Sequence, residues 1–136
     1  MERILIVEDS ATQREMLHHI LEKQGYSVRS AADGSAAWST IFDPPPTIVV
    51  TDIVMPGMDG YALCRAIKGE PKLANVPVML LTSLSDPKDV IAALESGADG
   101  FIGKPFAEDH LLSRIRDVIT NRDLKRQGND AAGVEI

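Results

Sequence analysis

The sequence predicts an α/β fold in which five strand–helix pairs build one parallel sheet covered by helices on both faces. Short continuous apolar runs, such as those at 4–7 and 78–81, alternate with longer segments whose apolar residues recur every three or four positions. Continuous apolar runs are typical of strands buried on both faces, whereas the longer period is typical of helices. Repetition of this pair along the chain predicts the parallel sheet.

The first half of the chain supplies the first two pairs. After the strand at 4–7, a capping box at 10–13 begins a helix over about 11 to 24, and Gly25 ends it. Residues 26–30 alternate as an edge strand does, and Asp33 caps a second helix that reaches about residue 41. We interpret the three prolines at 44–46 as a stiff connection to the third strand, with a polyproline ligand as the alternative.

The third and fourth pairs follow the same plan. A strand ending at Asp52 leads into a loop rich in glycine and proline, and Asp59 caps the third helix. A fourth strand follows Pro77, and Asp86-Pro87 then begins a fourth helix that ends at Gly97. Its apolar residues are predicted to face the core: Val90, Ile91 and Leu94.

The fifth pair has a brief strand at about 100–103 and the clearest apolar stripe of the chain. The stripe lies on a helix that follows Pro105 and consists of Leu111, Leu112, Ile115, Val118 and Ile119. The periodic pattern ends near Thr120. We therefore expect one domain over 1–120 and, over 121–136, either a frayed C-terminal tail or a truncated linker to a further domain.

Composition excludes several classes of protein. Apolar residues make up 44% of the 136 residues, yet no stretch approaches the roughly 18 that cross a bilayer, so we expect a cytoplasmic protein without membrane contact. The formal net charge of −6 disfavours direct binding to nucleic acid. The single cysteine, Cys64, lies in an apolar helical pattern, which predicts a buried, inert thiol.

Polar side chains stand at the ends of the predicted buried strands: Glu8 and Asp9, Asp52, Thr82 and Lys104. The carboxyl ends of parallel strands share one edge of the sheet, so these side chains are expected to converge there. Carboxylate oxygens are ligands that Mg²⁺ prefers, and a hydroxyl and an ammonium can bind phosphoryl oxygens. The pattern therefore predicts a site for a divalent cation and a phosphoryl group.

These residues, with their neighbours, resemble the receiver domains of two-component response regulators. The resemblance covers about residues 1 to 120 and is carried by Glu8-Asp9, the loop at 52–60, Thr82-Ser83 and the segment at 97–106. It implies a doubly wound, flavodoxin-like sheet with strand order 2-1-3-4-5 and five helices. It also implies a cis peptide bond before Pro105.

The resemblance implies a role for each site residue. Asp52 would accept a phosphoryl group from a sensor histidine kinase or a phosphotransfer protein. Glu8, Asp9, Asp52 and the backbone carbonyl of Val54 would hold Mg²⁺, and Thr82 and Lys104 would bind the phosphoryl group. Phe101 would respond to Thr82 and reshape the surface formed by the fourth helix, fifth strand and fifth helix. A downstream protein or fused output domain would read that surface, which makes the protein a switch rather than a turnover enzyme.

Two apolar residues, Val54 and Leu84, flank the predicted site. They offer no polar group to orient water, so we expect slow hydrolysis of the acyl phosphate.

Several alternative functions compete with this interpretation. A phosphatase of the haloacid-dehalogenase type would need an acidic residue at position 54, where this chain has Val54. A nucleotidyl-transfer fold of the topoisomerase-primase kind would need the same acid. A degenerate receiver that binds partners without phosphorylation is the more serious alternative. His18 and His19 are expected to be surface residues, because neither stands at a strand end.

Overall fold

The five strands form one parallel sheet in the order β2-β1-β3-β4-β5. This arrangement comes from a computed structural model, which describes residues 2–42, 44–83 and 86–135, with side chains as far as residue 124. The strands are β1 (Arg3–Val7), β2 (Ser27–Ala31), β3 (Ile48–Asp52), β4 (Val78–Thr82) and β5 (Gly100–Gly103). The helices are α1 (Ala11–Lys23), α2 (Gly34–Thr40), α3 (Gly60–Gly69), α4 (Pro87–Glu95) and α5 (Glu108–Glu135). The predicted fold class is confirmed.

Alternate residues of the central strands point into two separate cores, one on each face of the sheet. Leu5 and Val49 face the core formed with α2, α3 and α4, whereas Ile4 and Val50 face the core formed with α1 and α5. All four side chains are at most 1% exposed. Burial on both faces explains why these strands are continuously apolar, as the sequence predicted.

The predicted helix starts follow from local hydrogen bonds. The side chains of Ser10, Asp33, Asp59 and Asp86 accept hydrogen bonds from backbone N–H groups in the first turns of α1 to α4. Each cap satisfies a donor that has no partner inside its helix. The caps fix where each helix leaves the loop at the carboxyl edge of the sheet. They therefore also fix the loops that carry the polar residues at the strand ends.

The prediction for α4 was wrong. Its three large apolar side chains are solvent-exposed, with exposed fractions of 38% for Val90, 55% for Ile91 and 66% for Leu94. The small residues Ala93 and Ser96 are buried instead, and Ser96 lies at the C-terminal end of the helix. Small residues allow a helix backbone to pack close to the sheet that it covers. The spacing of the apolar residues correctly indicated one apolar face, but in this chain that face points to solvent.

Helix α5 continues to Glu135, well past Thr120, where the periodic apolar pattern ends. The predicted apolar stripe is buried as far as Ile119. Extending an existing helix is far easier than starting one, which explains why a polar segment can continue it. The division into a domain at 1–120 and a tail or linker at 121–136 stays a prediction. Among the described residues, no helix is both long and apolar enough to cross a bilayer.

Candidate functional site at the carboxyl edge of the sheet

Three carboxylates meet where β1 and β3 end. One oxygen from each of Glu8, Asp9 and Asp52 lies within 4.8 Å of the others. The two strands are neighbours in the sheet, with Val7 paired with Thr51, so their following residues leave the sheet side by side. Glu8 is 1% exposed, Asp52 is partly buried and Asp9 is exposed. The predicted convergence of these acids is confirmed.

The loop after β1 holds the buried Glu8 carboxylate in place. Its Oε2 atom accepts a hydrogen bond from the backbone N–H of Ser10 at 3.2 Å. The main chain of Glu8 is bound on both sides, since its N–H donates to the carbonyl of Ala31 and its carbonyl accepts from the Arg14 guanidinium. The carboxylate therefore has a defined orientation toward the cluster.

Asp52 is positioned by its own backbone and by the start of α3. Its Oδ1 atom accepts a hydrogen bond from the N–H of Ile53 at 2.9 Å, and the Ile53 carbonyl accepts one from Gly60 at 2.8 Å. A Cβ atom at Gly60 would lie 2.8 Å from the Cα of Ile53 and would also collide with the Asp52 carbonyl. Only glycine allows α3 to begin this close to the aspartate.

Lys104 reaches the cluster from the end of β5. Its Nζ atom lies 2.9 Å from Glu8 Oε1 and 3.5 Å from Asp52 Oδ1. The Lys104 N–H donates to the Thr82 carbonyl, which joins the residue to the end of β4, and the following bond to Pro105 is cis. The structure thus brings Lys104 to the acids, as predicted, across 96 residues of chain from Glu8.

A third partner of Lys104 was missed by the sequence analysis. The Gln13 side-chain oxygen accepts a hydrogen bond from Lys104 Nζ at 2.8 Å. The sequence predicted that Gln13 would complete a capping box with Ser10, but the Ser10 N–H donates to Glu8 instead. The Gln13 backbone N–H still donates to the Ser10 hydroxyl, so half of the box is present. The Gln13 side-chain amide can either accept a hydrogen bond from the Ser10 N–H or contact Lys104. Sequence spacing indicates only the first of these two possibilities.

The remaining candidates surround the acids. Thr82 is 7% exposed at the end of β4, and Ser83 lines a cleft of about 630 Å³ together with Asp52, Val54 and Lys104. Val54 is 64% exposed, and Leu84 lies outside the described residues.

Phe101 and the two histidines lie away from this cleft. Phe101 is half-buried on β5 and packs against the core beneath α2, α3 and α4. His18 pairs with Glu22 along α1 and His19 is exposed, so both are surface residues as predicted.

The donor set of the pocket suits a hard divalent cation. All three converging ligands are carboxylate oxygens, and Asp9 keeps the cluster open to solvent. Mg²⁺ prefers oxygen ligands and retains water or takes phosphate oxygens in its remaining positions. The partly buried Lys104 ammonium, in contact with Glu8, offsets part of the repulsion among the acids. The residues present therefore fit Mg²⁺.

Comparison with known proteins identifies this arrangement. The family model of the response regulator receiver domain matches residues 4–116 of this chain. The chain belongs to this family. Receiver domains interact with histidine kinases and phosphotransfer proteins and generally bind Mg²⁺ at an acidic pocket.

Curated relatives place the domain in longer proteins. The chain is 42% identical over 129 residues to a probable transcriptional regulator, ycf27, of Porphyridium aerugineum, covering 95% of this chain and 52% of that protein. It is 36% identical over 122 residues to the DNA-binding response regulator MtrA of Mycobacterium tuberculosis, covering 90% and 52% respectively. The chain thus spans about half the length of these relatives. They do not support the expectation that nucleic acid is not a partner, which stays a prediction for this chain.

Solved structures share the fold. The receiver domain of a signal transduction histidine kinase from Syntrophus aciditrophicus is 47% identical, with a TM-score of 0.84 and coverage of 89% of this chain and 92% of that one. The chemotaxis protein CheY4 of Vibrio cholerae is 30% identical, with a TM-score of 0.83 and coverage of 87% and 98%. Receiver domains of this fold therefore occur in proteins described as a kinase, a chemotaxis protein and transcriptional regulators.

Proposed function

We propose that the chain is a phosphorylation-dependent signalling receiver whose acceptor is Asp52. The observation that carries this proposal is the placement of the Asp52 carboxylate beside two other acids and the Lys104 ammonium. The donor would be a phosphohistidine on a sensor histidine kinase or a phosphotransfer protein. The chain would work in the cytoplasm as a switch rather than as a turnover enzyme.

The transfer needs positioning and charge neutralisation more than acid–base chemistry. A carboxylate oxygen of Asp52 forms a bond to phosphorus while the bond between phosphorus and the histidine nitrogen breaks, and the electron pair stays on the imidazole. The imidazole nitrogen then takes a proton from solvent. The attacking group is a carboxylate oxygen, so no base is required. Lys104 and the Thr82 hydroxyl are the residues that would contact the transferred phosphoryl oxygens.

Glu8, Asp9, Asp52 and the backbone carbonyl of Val54 would hold Mg²⁺ in this scheme. When bound, the cation neutralises charge on the phosphoryl group and on the carboxylates. The protein residues supply the rest: the Ser10 N–H orients Glu8, and the Ile53 N–H orients Asp52. Lys104 supplies a positive charge 3.5 Å from Asp52 Oδ1.

The signal would leave through the surface formed by α4, β5 and α5. Phe101 lies on β5, where it is half-buried against the core beneath α2, α3 and α4. Val90, Ile91 and Leu94 are exposed on α4. Exposed apolar residues grouped on one helix face are suited to binding another protein. We propose that a downstream protein or a fused output domain reads this surface, and that the chain itself contacts neither nucleic acid nor membrane.

Intact-mass measurement after incubation with phosphoramidate and Mg²⁺ tests the acceptor. We expect one phosphoryl adduct in the wild-type chain and none in Asp52→Asn, because the amide is a far weaker nucleophile than the carboxylate. Asp117→Asn is the matched control, since it makes the same change at an exposed position of α5 and should keep the adduct. An adduct that persists in Asp52→Asn would refute the site. A wild-type chain that takes none would favour the degenerate receiver.

The acyl phosphate should decay slowly, because Val54 presents an apolar side chain to the cleft beside Asp52. Val54→Asn introduces an amide that can orient an attacking water, so we expect decay several-fold faster in the presence of Mg²⁺. Val54→Leu is the control, since it changes the shape of the side chain without adding a polar atom. The rate is measured as loss of the phosphorylated mass after the donor is removed. An equal or slower decay in Val54→Asn would contradict the explanation.

A further inference from the structure

The ammonium of Lys104 has three N–H donors and three oxygen neighbours in the pocket. Glu8 Oε1 and Gln13 Oε1 lie at hydrogen-bond distance, 2.9 and 2.8 Å away, whereas Asp52 Oδ1 is farther, at 3.5 Å. An ammonium can only donate, so the oxygen of the Gln13 amide must face it. The two short contacts draw the ammonium toward α1 and Glu8 and away from the acceptor carboxylate.

We propose that Gln13 is a positioning residue that holds Lys104 ready for the phosphoryl group, an inference that rests on the proposed function. With two N–H groups directed to Glu8 and Gln13, the third remains directed toward Asp52. It lies too far to bond the carboxylate tightly, but a phosphoryl group added to Asp52 would bring an oxygen closer. Gln13 therefore keeps the acceptor oxygen available before transfer and gives the product an aligned donor after it.

The chemistry of glutamine suits this role. A neutral amide accepts the hydrogen bond without adding a fourth negative charge to the cluster of Glu8, Asp9 and Asp52. Gln13 lies in the first turn of α1, whose start is fixed by the Ser10 cap. Because its backbone N–H, and not its side chain, bonds to Ser10, the amide can be replaced without removing the cap.

Phosphorylation by phosphoramidate measures the effect without any kinase contact. In Gln13→Leu the ammonium loses one acceptor and can move onto Asp52 Oδ1, which lowers the reactivity of the carboxylate. We expect the second-order rate constant for adduct formation to fall roughly three- to tenfold, as for loss of one hydrogen bond of ordinary net strength. Thr12→Leu is the matched control. It places the same apolar side chain at the neighbouring exposed position of α1 and should leave the rate unchanged.

The side-chain ¹⁵N signal of Lys104 gives a second readout that does not depend on phosphorylation. Hydrogen bonding slows proton exchange of an ammonium, so we expect a resolved Lys104 signal in the wild type and a broadened one in Gln13→Leu. Gln13→Glu retains an oxygen acceptor at the same reach and should restore the resolved signal. Its added charge should also raise the affinity for Mg²⁺, measured by titration, whereas Gln13→Leu should leave that affinity within twofold of wild type.

The two experiments separate this inference from the proposed function. If wild type forms no adduct, the proposed function fails whatever Gln13 does. If wild type forms the adduct and Gln13→Leu matches it in both rate and Lys104 signal, the positioning role is refuted and the function stands. A slow Gln13→Leu whose Lys104 signal stays sharp would also overturn the inference, because the loss would then arise elsewhere in α1.

Discussion

Gly60→Ala should lower the free energy of unfolding by about 3 kcal/mol, the upper part of the usual cost of inserting a group into packed structure. The added Cβ would lie 2.8 Å from the Ile53 Cα and would press on the Asp52 carbonyl. Both obstacles are backbone, which cannot rotate away as a side chain can. The start of α3 or the end of β3 must therefore shift, and the Asp52 carboxylate shifts with it.

Two measurements check the expected result for Gly60→Ala. Urea unfolding reports stability, and the rate of adduct formation with phosphoramidate and Mg²⁺ reports the placement of Asp52; both should fall. Gly69→Ala provides the control, because it makes the same substitution in the same helix where a Cβ atom meets nothing within 4 Å. That variant should gain up to about 1 kcal/mol. Equal stability of the two variants would contradict the close approach at Gly60.

Lys104→Met should destabilise the Mg²⁺-free protein by roughly 3 kcal/mol, the low end for removing one partner of a buried ion pair. The low end applies because Lys104 is 18% exposed, whereas the Glu8 side chain that loses its partner is only 1% exposed. Mg²⁺ can supply the missing positive charge. The loss of stability should therefore shrink as Mg²⁺ is added, and the variant should bind Mg²⁺ more tightly than wild type does.

Thermal or urea unfolding across a Mg²⁺ series measures this compensation. Lys72→Met is the matched control, since Lys72 is exposed and its replacement should change stability by no more than about 0.5 kcal/mol. Glu8→Gln combined with Lys104→Met should recover stability without Mg²⁺, because no buried charge is then left alone. If the Lys104→Met protein were as stable as wild type in the absence of Mg²⁺, the Lys104 ammonium would not be stabilising the buried Glu8 carboxylate.

Sequence reasoning predicted the parts of this molecule that depend on chain direction and local capping. Parallel strands place their carboxyl ends on one edge, so Glu8, Asp9, Asp52 and Lys104 could be brought together from the end points of three apolar runs. The strand order itself came from the resemblance to receiver domains rather than from the pattern. Helix starts were predictable because a capping side chain bonds within its own turn.

The errors arose where two outcomes share one sequence pattern. Apolar residues spaced along α4 indicate an apolar face, but they do not tell whether the chain itself covers that face; Ile91 and Leu94 are exposed. The polar segment after Thr120 continues α5, although its composition also suits a tail or a linker, and that assignment stays a prediction. The Gln13 side chain can complete a helix cap or accept a hydrogen bond from a lysine 91 residues away, and only the three-dimensional structure distinguishes the two.

The single thiol of the chain, Cys64, can report how often α3 separates from the sheet. Cys64 is fully buried on α3, and burial raises the pKa of its thiol, so the reactive thiolate is scarce in the folded protein. A thiol-specific dye should therefore label native molecules only as fast as α3 separates from the sheet. The first residue of α3, Gly60, bonds to the carbonyl of Ile53, the residue after Asp52. The labelling rate with and without the phosphodonor would therefore report whether a phosphoryl group in the pocket slows the separation of α3 from the sheet.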